Sequence, residues 1–202
     1  METSHPSWVL HTQTALSLGL RALFQQLEAR LALSRPVNVY LAGGMAVHLY
    51  TASRVTTDVD AEFGGRIHIP SDLITEVVLE DGSSQVIYFD TNYNSSFALM
   101  HEDYLDDAIP MDLGLDWLRV HVLSPVDLAV SKIARFADND QEDIAALVRM
   151  GLTTAHAIEN RATEAVVGYV GGLAVLQLNL RDAVRLARQI EVEAGAAMQL
   201  RV

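Results

Sequence analysis

The sequence predicts an α+β fold (α/β in the broad sense): a small mixed β-sheet core, a helix before it and a C-terminal helical bundle packed on it. Three observations predict this. Every β-rich run falls between residues 37 and 123, only helical patterns follow residue 124, and one amphipathic stretch precedes the first strand. The chain therefore divides into a core of residues 1–123 and a helical region of residues 124–202, with neither a repeat nor a low-complexity linker between them.

Residues 12–33 place Leu16, Leu20, Leu23, Phe24, Leu27 and Leu31 three and four apart, on one face of a helix that Pro36 terminates. Residues 37–42 form an apolar run ending at Gly43-Gly44, the pattern of a buried strand entering a tight turn, and residues 45–51 read as a short helix. A second strand is expected over about residues 58–63. Residues 76–90 hold two β-rich runs split by Asp81-Gly82, a hairpin signal, and the second arm ends at Asp90. Residues 117–123 alternate Leu118, Val120 and Val122 with Arg119 and His121, as a strand does. Ser124-Pro125 with Asp127 opens a helix to about Ala137, Asp140 or a neighbour caps another ending at Gly151, and Thr154 caps a third. Asn179 with Asp182 is expected to begin the last.

Half the residues are apolar and a fifth are charged, enough to bury a substantial core. The net charge of −12 and the lack of a Lys/Arg stripe exclude a broad DNA-binding surface, although a local basic groove stays compatible with them. Without cysteine there are no disulfides, thiolate zinc sites or cysteine nucleophiles. The opening Met-Glu-Thr-Ser-His-Pro-Ser-Trp lacks the pattern of a leader, and no segment approaches the roughly 20 apolar residues of a membrane span. A cytoplasmic protein without a membrane partner is the expectation. The seven histidines show no zinc-ligand spacing; His48, near the glycine turn, is expected to pack on the short helix.

The chemistry concentrates in Val39-Tyr-Leu-Ala-Gly-Gly-Met-Ala-Val-His-Leu-Tyr50 and the following Arg54-Val-Thr-Thr-Asp-Val-Asp60. Two acids at i and i+2 of a strand share a face, roughly 6.6 to 6.8 Å apart along it, so Asp58 and Asp60 can converge on one Mg²⁺ or Mn²⁺. Gly43 and Gly44, lacking Cβ atoms, let backbone N–H groups approach a phosphate. The pair is neither a Walker loop nor a dinucleotide fingerprint, because no Gly-Lys-Ser/Thr and no third glycine follow. Arg54 and Thr57, between turn and acids, join the candidate nucleotide-binding set.

This order of strand, Gly-Gly, short helix and Asp-x-Asp resembles the nucleotidyltransferase superfamily to which DNA polymerase beta belongs. The Arg54–Asp60 segment, with Val122-Leu-Ser-Pro-Val-Asp-Leu-Ala-Val-Ser-Lys-Ile-Ala-Arg-Phe-Ala-Asp-Asn-Asp-Gln-Glu-Asp-Ile144, is similar to a bacterial subgroup of toxin–antitoxin and abortive-infection proteins. The similarity spans roughly residues 37–150. It implies a third metal-binding carboxylate from a later strand, for which Asp90 is the first choice and Asp112 the alternative. It further implies that Lys132, the sole lysine of the sequence, faces the nucleotide phosphates and that Asp143 carries a catalytic role; Arg135, three residues on and roughly on the same helix face, joins Lys132. Of the acids opening that helix, Asp138, Asp140 and Glu142 are read as capping and dipole-compensating groups.

The expected activity is metal-dependent transfer of a nucleoside monophosphate from a nucleoside triphosphate to an RNA (tRNA-like) or protein acceptor, as the toxin of a toxin–antitoxin pair. The competing readings are a catalytically degenerate module that binds or neutralises a partner protein, and an aminoglycoside-type adenylyltransferase.

Overall fold

The computed structural model describes residues 8–199. Residues 1–7, including His5 and the segment read for a leader, lie outside them. The N-terminal helix α1 (Ala15–Arg30) is followed by β1 (Val37–Leu41), the short helix α2 (Gly43–Thr51), and strands β2 (Asp58–Val59), β3 (Ala61–Phe63), β4 (Ile74–Val78) and β5 (Ser84–Phe89). Then come β6 (Ile109–Met111), β7 (Leu118–Val122) and four helices: α3 (Pro125–Ser131), α4 (Asp138–Arg149), α5 (Ala155–Ala165) and α6 (Leu173–Gln199). No helix among the described residues is long and apolar enough to cross a membrane.

The strands form two small mixed sheets. One has the order β3-β1-β7-β6, with β1 parallel to β7 and the outer strands antiparallel; the other has the order β2-β5-β4, with β2 parallel to β5. Thr14 starts α1 by accepting the Ser17 N–H, and Leu16, Leu20, Leu23, Phe24 and Leu27 are buried as their spacing requires. Full burial of such side chains contributes about 1.5–3 kcal/mol each. Helix α1 lies on β4 at Gly19, where any added Cβ would run into Val77. On the far side α6 packs on α4 and α5, burying Leu176, Ala183, Ala187 and Ile190.

Four elements differ from expectation. The strand expected over residues 58–63 breaks at Asp60: its first half pairs with β5 and its second with β1, so this one segment joins the two sheets. The helix from Ser124 stops at Ser131 instead of Ala137 and ends in tight turns, with Phe136 at φ 50°. The carbonyls released there, of Ile133 and Ala134, accept the Asn179 side-chain amide at 3.0 and 3.2 Å. Asn179 is thus an interior residue of α6 spent on another element, and the last helix begins at Leu173. Strand β6 escaped the sequence reading, because Ile-Pro-Met is too short to show alternation and its proline sits on the edge strand of the sheet.

Candidate active site

The glycine turn sits where β1 ends, between the two sheets. Ala42 donates its N–H to the Asp60 carbonyl at 2.9 Å, which draws Asp60 against the start of α2. Gly43 has φ +62°, and a Cβ built there would fall on the Asp60 carboxylate, so backbone conformation and close approach both demand glycine. Gly44 is less constrained: its nearest side-chain atom would be Thr56 Oγ1 at 3.2 Å.

Asp58, Asp60 and Asp90 line one open cleft of about 620 Å³ together with Gly43, Gly44, Arg54, Thr57, Lys132 and Arg135. Asp58 is held by the Thr56 hydroxyl, and Gln85 fixes the Thr56 carbonyl at 2.9 Å. Asp90 follows β5, which runs parallel to β2, and donates its N–H to the Val59 carbonyl at 3.0 Å, so the third acid stands beside the first two. Its carboxylate accepts the Asn92 N–H at 2.8 Å. Asp112 instead accepts the Gly114 N–H in the exposed β6–β7 loop and does not line the cleft.

Burial and then the Asp58 charge push the Asp60 carboxyl up to about 6, against the opposing pull of Lys132. Half-buried acids crowded in this way are costly when ionised unless a positive charge neutralises them. Among the described residues no three His, Asp or Glu side chains form a complete metal-holding group. The donor set nevertheless fits Mg²⁺ or Mn²⁺, because magnesium typically takes one or two carboxylates and draws its other ligands from water and substrate phosphate.

Two of the cations, Lys132 and Arg135, come from the start of the helical region, and Arg54 from the connection between α2 and β2. Lys132, buried at the end of α3, lies 2.8 Å from Asp143 and 3.7 Å from Asp140. Arg54 lies 3.1 Å from the other Asp143 oxygen, so Asp143 is wedged behind the cleft between two cations and does not line it. Arg135 grips Asp140 with two hydrogen bonds of 2.7 Å, and Asp140 also accepts the Ala137 N–H at the start of α4. Burial opposes ionisation of Asp140, but these donors and Lys132 outweigh it and keep its carboxyl below the usual range. Asp138 and Glu142 are exposed on the same helix.

His48 packs inside α2, with Nδ1 2.6 Å from the Arg54 carbonyl and Nε2 2.7 Å from the Thr14 hydroxyl. A carbonyl can only accept, so Nδ1 carries the proton and the ring pins the Arg54 backbone; burial lowers its pKa and favours this neutral form. The sequence reading missed several groups at the cleft: Gln85, Tyr93, Asn139 and Phe97, the last 78 % exposed. A solitary aromatic in Asn-Ser-Ser-Phe carries no periodic signal, and only the loop's fold brings it to the rim.

Compared with known protein families, residues 19–181 match the model of the family described as nucleotidyltransferase of unknown function (DUF6036). No curated protein and no solved structure matches the chain.

Proposed function

The chain belongs to this nucleotidyltransferase family, and from that premise we propose that it transfers a nucleoside monophosphate from a metal-bound nucleoside triphosphate to a hydroxyl of an RNA or protein acceptor. The observation that carries the reading is the convergence of Asp58, Asp60 and Asp90 on one cleft that Lys132, Arg54 and Arg135 also line. Acids alone would repel a triphosphate, and cations alone would bind it without a place for metal; the two sets of side chains together suit a metal–triphosphate complex.

Asp58 and Asp60 would hold Mg²⁺ or Mn²⁺, which when bound supplies charge neutralisation on the phosphates. Gly43 and Gly44 offer backbone N–H groups at the start of α2, and Lys132 and Arg54, steadied from behind by Asp143, balance the phosphate charge. Asp143 then acts as a positioning residue. Asp90 would complete the metal site as its third carboxylate and help activate the acceptor hydroxyl by taking its proton. Phe97 offers an exposed ring on which a nucleobase can stack, worth roughly 1–3 kcal/mol in comparable contacts. The resemblance of the Arg54–Asp60 and Val122–Ile144 segments to toxin–antitoxin proteins supports a toxin role.

The test is to incubate the purified chain with each α-labelled nucleoside triphosphate, magnesium and a cell extract, beside Asp58→Ala, Asp60→Ala and the double variant. The reading predicts metal-dependent labelling of a macromolecule that the double variant loses; labelling that persists in it refutes the assignment.

A further inference from the structure

A second cleft, of about 770 Å³, adjoins the first and shares Asp90, Tyr93 and Asn94 with it. One wall is β3 and the other is the segment that leaves β5 through Thr91, Ser95 and Ser96. Strand β3 is an edge strand of its sheet.

The hydrogen-bond parity along residues 57–64 fixes which way the backbone faces. The even-numbered residues serve β1: the Asp60 carbonyl accepts from Ala42, and Gly64 donates to Asn38. The odd-numbered residues face the other edge, where the Thr57 carbonyl accepts from Tyr88 and the Val59 carbonyl from Asp90. At Asp90 the chain of β5 turns away, with the Tyr93 N–H donating to the Asp90 carbonyl. Ala61 and Phe63 continue the same edge, and among the described residues no backbone hydrogen bond reaches their outward groups beyond the β1–β3 ladder. The ladder that β5 leaves at Asp90 is therefore open to another strand at the point where the third acid stands.

We propose that this cleft takes the acceptor as an extended polypeptide segment, which adds to the β3 edge in continuation of β5 and presents a serine, threonine or tyrosine hydroxyl to Asp90. The inference rests on the transferase reading and names its acceptor class. An added strand needs what this edge offers, alternate free N–H and C=O groups about 4.8 Å from its own backbone. Charge favours the same occupant: the cleft carries Glu62 and Asp90 against Arg66, on a chain of net charge −12, so an RNA backbone would meet repulsion that a neutral or basic peptide does not. Glu62, which lines the cleft, accepts the Tyr104 hydroxyl at 2.7 Å. In the transfer step the peptide hydroxyl oxygen forms a bond to the α-phosphorus while the bond from that phosphorus to the bridging oxygen of the β-phosphate breaks. Pyrophosphate leaves with the bonding pair, the hydroxyl proton passes to Asp90, and the product is a phosphodiester between peptide and nucleoside monophosphate.

The experiment uses fluorescent decapeptides of alternating valine and threonine with a central tyrosine, and two versions of each carrying N-methyl groups on alternate amides in opposite phases. Binding to the intact chain is read by anisotropy without nucleotide, and transfer is read with labelled triphosphates and magnesium, beside a tRNA fraction. The account expects one methylation phase to weaken binding by roughly tenfold or more while the other leaves it unchanged. Ala61→Pro, which removes an outward donor but no bond to β1, should raise the peptide KM similarly without altering magnesium–triphosphate affinity. Equal effects of the two phases, or label on tRNA with no peptide binding, overturn the inference and leave the transferase reading standing. Loss of both magnesium-dependent triphosphate binding and all transfer refutes the transferase reading, and the acceptor assignment with it.

Discussion

Asp60 stands at a carboxyl pKa of about 6 in the fold against 3.8 for an ordinary aspartate, with burial the first cause and Asp58 the second. The folded chain therefore binds more protons than the unfolded chain between these values, and this residue makes stability fall as pH rises from about 4 to 6. Above pH 6 the ionised group costs on the order of 1–3 kcal/mol in the absence of a cation. Asp60→Asn should accordingly raise Tm at pH 7.5 in metal-free buffer, change it little at pH 4, and abolish transfer; lower thermal stability of the variant at both pH values would contradict this. The two glycines make a sharper pair. Gly43→Ala meets both a positive φ and the Asp60 carboxylate, and is expected to lose about 1–3 kcal/mol of stability and most activity, whereas Gly44→Ala, 3.2 Å from Thr56, should retain the fold. Denaturant titration of both variants checks it. These residues were legible because glycine pairs and i, i+2 acids are local patterns. That Asp143 stands behind the cleft between Arg54 and Lys132 was not, since its partners are 89 and 11 positions away in sequence.

Between elements, buried charge ties the helical region to the sheet. Removing Asp143 leaves Arg54 without its anion and Lys132 with only Asp140 at 3.7 Å, so Asp143→Ala is expected to destabilise by about 3 kcal/mol, read by denaturant unfolding. A second tie is Glu28 of α1, whose carboxylate accepts the N–H groups of Asp116, Trp117 and Leu118 at 3.0, 2.7 and 2.8 Å and so holds the entry to β7. Burial raises its pKa, but the three donors outweigh it and the net shift is downward from 4.5. Its contribution is thus present above pH 4.5 and is lost as pH falls through the lower folded value. Glu28→Ala should lower Tm at pH 7, with the gap to the parent closing at more acid pH; a gap independent of pH would contradict that. The hairpin, the parallel strand at residues 118–122 and the cap at Ser124 were legible from alternation, Asp-Gly and Ser-Pro signals. The early end of α3 was not, because the partner of its released carbonyls is Asn179, an amide 46 residues from Ile133.

Across the whole molecule, one segment of six residues joins two sheets and places its acids against a glycine turn from the first and Asp90 from the second. The helical region completes the cleft with Lys132 and Arg135. The fold class was readable because strands and helices segregate along the chain; the split into two sheets was not, because it follows from which edge of residues 58–63 each neighbour takes. A ligand that engages both the acids and the cations binds the folded chain alone, so saturating magnesium and triphosphate together should raise Tm more than either component. The most direct measurement of the central claim is calorimetric titration of a non-hydrolysable nucleoside triphosphate into the chain, with and without magnesium, beside the Asp58→Asn, Asp60→Asn double variant. The account predicts that magnesium strengthens binding to the parent and that the variant loses this enhancement. Equal magnesium dependence in both proteins would contradict it.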